Sequence, residues 1–194
     1  MKTRSRSTEI TFDVDAHVYR DAQGRVVPGV TGIIRACGLM DAQWSSDWHM
    51  QRGSAVHRAI ELDEQGDLDE ASLDPMIVPY LDAWRRFKTE LYYISVEQER
   101  KIYHPVYRYA GTLDQVGILN DKSALIDIKT GAYQPWWALQ TAAYNAVSKC
   151  HYRYSLELHG DGKYKLIQHK KTTDLQAFLA CLTVLNLQRE YGRS

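Results

Sequence analysis

Cysteine is scarce in this 194-residue chain and nowhere paired. Cys37, Cys150 and Cys181 are odd in number and form no CxxC, which argues against a disulfide framework or a thiolate-held zinc and for reduced, space-filling thiols in a cytosolic setting. Long apolar runs are absent too. No stretch approaches the roughly 18 apolar residues of a membrane helix, and the basic start "MKTRSRSTEI" leads into nothing apolar, so neither a span nor a signal peptide is expected and the protein reads as soluble and cytoplasmic. No internal repeat is visible. At 44% hydrophobic the chain suffices for one core and is short for two, so residues 1–194 are expected to form one domain.

Net charge is also missing, which by itself is weak support for a nucleic-acid partner, but the zero hides an uneven distribution. Residues 1–100 carry 12 basic and 17 acidic side chains, a balance of −5; residues 101–194 carry 12 and 7, a balance of +5. Between Arg58 and Arg85 there is no lysine or arginine, while Glu61, Asp63, Glu64, Asp67, Asp69, Glu70 and Asp74 make a surface that a polyanion would avoid. "KYKLIQHKK" is the opposite: Lys163, Lys165, Lys170 and Lys171 form a local positive patch able to hold phosphates, or simply a solvated strand and turn.

What is present reads as strands and helices in blocks. Residues 9–31 have alternating runs around a glycine-containing turn, predicting a hairpin before a short helix that starts at Thr31. "WSSDWHMQRGSAVHRAIELDEQG" has helical spacing with Ala55, Ala59 and Leu62 near one face. A second helix is expected from Asp74 as cap and Pro75 as first residue, with Leu81, Trp84, Phe87 and Leu91 as its apolar stripe. "ISVEQERKIY", "YRYAGTLDQVGIL" and "ALIDIKT" follow as consecutive antiparallel strands, the last two joined by an "NDKS" turn. Residues 134–149 return to helix, 153–170 form a hairpin turning at Gly160 to Gly162, and 172–192 close as a helix capped by Thr172 or Thr173. Helices flanking a central sheet make the fold α/β or α+β.

The period of two in "ALIDIKT" puts Asp127 and Lys129 on one side with Leu125, and Ile126 and Ile128 on the other. A hairpin folding on residues 120–123 sets Asp114 opposite residue 129, so two carboxylates and an ammonium meet across one ladder. Neighbouring buried carboxylates repel unless a cation sits between them, and hard oxygen ligands select Mg²⁺ or Mn²⁺, with the Ile128 carbonyl as a further oxygen. A lysine beside such a metal orients water and offsets charge at phosphorus, a layout suited to phosphodiester hydrolysis. The D/E-x-K pattern alone is weak, since Glu99 to Lys101 and Asp161 to Lys163 repeat it. Asp161 lies in a hairpin tip and Glu99 is most simply half of a surface ion pair; only Asp127 has an upstream partner of the "GTLD" kind. Gln140 and Tyr144, four apart on the next helix, are either a solvated flank or reach the lysine or the phosphates. His57 is either a structural histidine or, with Gly53 permitting close backbone approach, a nitrogen ligand. Trp136 and Trp137, at a helix start, are more simply core than base-stacking platforms.

These pieces together resemble the RecB-type branch of the PD-(D/E)xK nuclease superfamily: "RGSAVH" at 52–57, "GTLD" ending at Asp114, "LIDIKTG" with Asp127 and Lys129, and "QTAAY" with Gln140 and Tyr144. "VPGVTGII" near the start is similar to phage and mitochondrial exonucleases of this branch. The resemblance implies a central mixed sheet flanked by helices, a restriction-endonuclease-like core. It implies that His57, Asp114, Asp127 and the Ile128 carbonyl bind Mg²⁺ or Mn²⁺, that Lys129 assists the attacking water, and that Gln140 and Tyr144 contact DNA. Glu99 occupies a place where relatives often keep an acid, as a supporting group or ligand of a second metal. The four cysteines of an iron–sulfur cluster are missing, and no helicase segment is attached, so a loading motor or recombination partner would be a separate protein.

The activity implied is a metal-dependent DNA exonuclease that leaves 5′-phosphates, acting in recombination, repair or end processing, with a phage genome as one expected source. The alternatives are a structure-specific endonuclease and a non-catalytic DNA-end-binding module on the same fold. An intact acid and lysine set speaks against the last, and a purely structural protein leaves polar residues among apolar strands unexplained.

Overall fold

A computed structural model describes residues 10–13, 16–40 and 47–192. Three short strands, β1 (Ile10–Asp13), β2 (Val18–Asp21) and β3 (Val26–Val27), form an antiparallel meander where one hairpin was expected. The extra turn comes from Asp21, whose carboxylate accepts the N–H groups of Gln23 and Arg25 at 3.0 Å each and so folds the chain back once more. Helix α1 (Val30–Ala36) begins one residue before Thr31. Helix α2 spans Asp47–Gln65; the first residues of the predicted helix, Trp44 to Ser46, lie outside the described residues, as does the basic N-terminal stretch.

Helix α3 (Val78–Leu91) starts later than expected, with Pro79 rather than Pro75 in its first turn. Asp74 instead organises the preceding turn, its carboxylate accepting the Met76 N–H at 2.8 Å. The long strands follow: β4 (Ile94–His104), β5 (Tyr109–Leu119) and β6 (Lys122–Lys129), then α4 (Trp137–Ser148), β7 (Tyr152–Leu158), β8 (Tyr164–Gln168) and α5 (Asp174–Tyr191). Thr173 sits at the start of α5, but its hydroxyl makes no capping bond.

The main sheet runs β4-β5-β6-β7-β8, antiparallel except for β6 and β7. A parallel pair needs a crossover, and α4 is that crossover. The sheet is therefore mixed, with helices on both faces. Ala124, Ile126, Ile128 and Leu156 pack on one side against Val56, Ala59 and Ile60 of α2 and Leu81, Trp84 and Phe87 of α3. Leu113 and Leu125 pack on the other against Ile33 and Ile34 of α1, Ala143 of α4 and Phe178 of α5. The core face of α2 is turned from the expected one: Ala55 is exposed, and Val56 and Ile60 carry the burial. No helix of the described residues is long and apolar enough to cross a membrane.

Between these layers β5 has little spare room. A Cβ on Gly117 would collide with the Ile94 carbonyl and lie 2.5 Å from the Tyr93 ring. Gly117→Ala should therefore cost roughly 2–4 kcal/mol of stability, as overpacking against backbone does. Urea unfolding measures it, and a midpoint equal to wild type would refute the close approach.

Candidate functional site

The β5–β6 hairpin sets the geometry. Its turn is the two residues Asn120 (φ 50°) and Asp121 (φ 58°), with Leu119 paired to Lys122, rather than the four-residue turn expected. Asparagine and aspartate are the non-glycine residues that best tolerate left-handed backbone, which lets this tight connection form. The register is thereby displaced by two residues. Gln115 pairs with Ile126, and by the same count Asp114 comes level with Asp127 instead of Lys129. A displacement of two leaves every side chain on its expected face. Asp127 and Lys129 lie with Leu125 on the α4 side of the sheet, while Ile126 and Ile128 lie under α2 and α3. At this level the ladder opens, and Asp114 Oδ2 accepts the Ile128 N–H at 2.6 Å.

On its other edge Asp114 faces Glu99. The pairs Gln98↔Gln115 and Arg100↔Leu113 flank them, and Glu99 itself is kinked into the left-handed region at φ 46°. Such a conformation costs about 1–2 kcal/mol for a non-glycine residue, and here it accompanies a carboxylate turned toward the site. His57 arrives from α2, its Nδ1 3.4 Å from Glu99 Oε1 and 3.6 Å from Asp114 Oδ1. One ligand atom from each of the three lies within 4.8 Å of the others. Glu99 is thus drawn into the centre rather than into the cross-strand surface ion pair expected. Asp127 does not belong to this group of three. It lies beneath Lys129, whose Nζ is 2.7 Å from its Oδ2.

The acidic stretch has a structural use. Arg85 of α3 bridges Asp63 and Glu70, Lys88 meets Glu64, and the Trp84 indole N–H donates to Glu64 at 2.9 Å. These contacts fasten α2 to α3 and fix the helix that carries His57.

Behind the carboxylates a chain of hydrogen bonds runs into α4. Lys129 Nζ donates to Gln140 Oε1 at 3.0 Å, and Gln140 Nε2 donates to the Tyr144 hydroxyl at 3.1 Å. Both residues of α4 are buried, at 7% and 4% exposure, so they are aimed at the lysine rather than outward. Gly111 makes room for this arrangement, since a Cβ there would come within 2.6 Å of the Tyr144 ring. Trp137 is buried, Trp136 packs on the same core, and their rings lie 5.9 and 5.8 Å from Lys129 Nζ.

Electrostatically the centre is strained toward holding protons or cations. Burial pulls the His57 pKa down, yet Asp114 and Glu99 outweigh it and hold the imidazole at about 9. Burial raises Asp127 to about 6, with Asp114 adding to the rise and Lys129 opposing it. Burial and Glu99 raise Asp114 against the pull of His57 and Lys129. Asp127 is 1% exposed, and neither of its carboxylate oxygens accepts a hydrogen bond among the described residues; the lysine contact is an ion pair outside hydrogen-bond alignment. An orphaned buried carboxylate beside two further acids and an imidazole is a donor set that fits a hard divalent cation.

Two residues reach this region that sequence reasoning did not single out. Tyr19 of β2 shares a hydrogen bond with Thr112 at 3.0 Å, and its phenol is raised by burial and by Glu99 and Asp114. Glu157 of β7 pairs in register with Lys129, is 4% exposed, and has one oxygen without a partner. The expected lysine patch divides. Lys165, 3.8 Å from Glu157, and Lys163, paired with Asp161 at 2.7 Å, sit at the Lys129 end of the sheet. Lys170 and Lys171 follow Gln168 at the opposite end, where they line a cleft with His151 and Arg153.

No family model and no curated protein matches the chain. Among solved structures it is similar to a candidate exonuclease from Eubacterium rectale, with 12% identity, 84% of this chain and 74% of that chain covered, and a TM-score of 0.50. It is more loosely similar to the alkaline exonuclease LHK-Exo from Laribacter hongkongensis, at 19% identity over 81% and 91% of the two chains with a TM-score of 0.41. The same enzyme in complex with dAMP gives 17%, 84%, 92% and 0.36. What the first likeness shows is the fold alone, a mixed sheet flanked by helices.

Proposed function

We propose that the protein is a metal-dependent DNA nuclease of the PD-(D/E)xK type, acting as an exonuclease that leaves 5′-phosphates. The observation that carries this reading is the unbonded, buried Asp127 carboxylate held against Lys129, one strand from the His57–Glu99–Asp114 group. His57, Glu99, Asp114, Asp127 and the Ile128 carbonyl would hold Mg²⁺ or Mn²⁺, which supplies charge neutralisation at phosphorus and a more acidic water. Lys129 orients the attacking water, and Gln140, itself fixed by Tyr144, keeps the ammonium from swinging away. Water adds to phosphorus as the 3′-oxygen of the neighbouring nucleotide departs, so the phosphate stays on the 5′ side. The exonuclease description of the structural neighbour from Eubacterium rectale favours ends over internal sites. End processing in recombination or repair, including in phage, is the setting in which such an enzyme serves.

Incubating labelled linear and closed circular DNA with Mg²⁺ or Mn²⁺ tests the reading. Nucleotides carrying 5′-phosphates should leave linear DNA only. Cutting of closed circles would favour an endonuclease, and binding in EDTA with no cleavage on adding metal would favour an end-binding module.

The proton balance of the site predicts how metal and pH combine. His57, raised to about 9, contributes stability that is complete below its ordinary pKa near 6.5 and is lost as pH rises through 9. Asp127 has the same sign, losing its contribution as pH rises through about 6. Metal-free protein should therefore weaken from about pH 6 to pH 8.5, where ligands are deprotonated and metal affinity is highest. At a fixed Mn²⁺ concentration about 100 times the pH 8.5 Kd, Tm should rise by roughly 5–10 °C at pH 8.5 and clearly less at pH 6, where Kd is weaker. Equal shifts at both pH values would remove His57 from the ligand set.

A further inference from the structure

Most arginines on the α2–α3 face have carboxylate partners. Arg58 meets Glu61 at 2.5 Å, Arg86 meets Glu90 at 2.5 Å, and Arg85 bridges Asp63 and Glu70. Arg52 does not. Its one hydrogen bond among the described residues runs from Nη2 to the Thr130 carbonyl at 2.8 Å, and its Nε is buried with no acceptor. The guanidinium is nonetheless held firmly, 4.6 Å from the Trp48 ring and 5.5 Å from the Tyr80 ring. Ordering a long cationic side chain costs conformational entropy, and no counter-ion among the described residues offsets that cost.

The position of this charge points to its use. Thr130 directly follows Lys129, so the Thr130 carbonyl ties the guanidinium to the end of the strand that carries the lysine. Arg52 and His57 ride on the same helix, and that helix brings His57 to Glu99 and Asp114. Trp48, beside the guanidinium, is 49% exposed, so the clamp opens toward solvent. A planar, permanently charged fork of donors matches the oxygens of a phosphodiester.

We infer that Arg52 binds a backbone phosphate next to the scissile one, as an anchor that sets where the strand lies over Lys129. This rests on the nuclease reading above. It adds a second phosphate contact that neither the metal-ligand group nor the Lys129 chain provides.

The test compares the full chain with Arg52→Gln and Arg52→Lys on three probes. The first is the p-nitrophenyl ester of thymidine 5′-phosphate, which offers only the scissile linkage. The second is a short single-stranded oligonucleotide, and the third a set of the same oligonucleotide with one neutral methylphosphonate walked along its linkages. Arg52→Gln should lower kcat/KM on the oligonucleotide about 10–100-fold, mainly through KM, and leave the ester within about twofold. In wild type, one methylphosphonate position beside the cut should impose a similar loss, and in Arg52→Gln that position should cost nothing further. Arg52→Lys, which keeps a cation near both rings, should fall between. Equal losses on ester and oligonucleotide, or a methylphosphonate penalty undiminished in the variant, would overturn the assignment in favour of a packing role. Should Arg52→Gln not fold, a wild-type scan with no sensitive linkage beside the cut overturns it equally. Wild type that cuts none of the three probes overturns the nuclease reading itself, whereas wild type that cuts while Arg52→Gln matches it overturns this inference alone.

Discussion

Lys129→Ala is expected to lower turnover of linear DNA by roughly 10³-fold while changing DNA affinity by less than about threefold. The ammonium is 2.7 Å from Asp127 and 3.0 Å from Gln140, is 16% exposed, and has two indoles beside it. It is therefore a fixed charge rather than a mobile surface lysine, and alanine removes it without replacement. Water oriented by that charge in the transition state is lost, whereas the contacts that hold the strand remain, so the effect falls on kcat. Arginine should not rescue it, because a planar fork cannot occupy the narrow space between Asp127 and Gln140. Single-turnover cleavage with excess enzyme measures the step directly. Activity within tenfold of wild type would remove Lys129 from the chemistry.

Asp127→Asn should separate activity from stability. Cleavage is expected to fall by at least 10³-fold, since the site loses its least exposed carboxylate. In EDTA near neutral pH, however, the variant should be more stable than wild type by on the order of 2 kcal/mol, because the folded protein no longer buries an anion whose pKa is raised to about 6. The sign follows from linkage: a raised carboxyl pKa favours the native state while the group is protonated and disfavours it once ionised. The gain should thus shrink toward pH 4. Loss of the Lys129 ion pair works in the other direction, and its smaller weight against burial sets the net direction. Metal should stabilise wild type and leave the variant nearly unchanged. Urea unfolding of both proteins with and without Mn²⁺ reads all four quantities, and a variant weaker than wild type in EDTA at neutral pH would contradict the strain assigned to Asp127.

Period-two alternation was enough to place Asp127 and Lys129 on a common face, and the separation of Gln140 from Tyr144 was enough to stack them on one helix. The pairing of β5 with β6 was not recoverable to the residue, because four polar letters, Asn120 to Ser123, leave the turn length open until two of them adopt left-handed backbone. Strand alternation alone made Glu99 half of a surface ion pair, and only the family resemblance offered it as a supporting or second-metal acid, because a left-handed kink breaks the alternation by which a strand residue is assigned a side. The core face of α2 was misjudged because Ala55, Ala59 and Leu62 were read as the stripe while Val56 and Ile60 carry the larger apolar area. Tyr19 and Glu157 come from strands that reach the centre only through long-range contacts, and nothing local to "VYRD" or "YSLEL" announces the destination. The lysines of "KYKLIQHKK" read as one patch because they are close in sequence, yet a five-residue strand lies between its two ends.

Length changes in the Asn120–Asp121 connection are governed by parity. Lengthening it by two residues would slide Asp114 past Asp127 without turning either strand over. A single inserted residue, if the register absorbed it, would instead roll Asp127 and Lys129 to the α2 and α3 side, among Val56 and Ile60, and bring Ile126 and Ile128 toward Gln140. Odd-numbered changes in this loop would therefore cost the molecule both its oil and its charge at once, and even-numbered ones only its alignment.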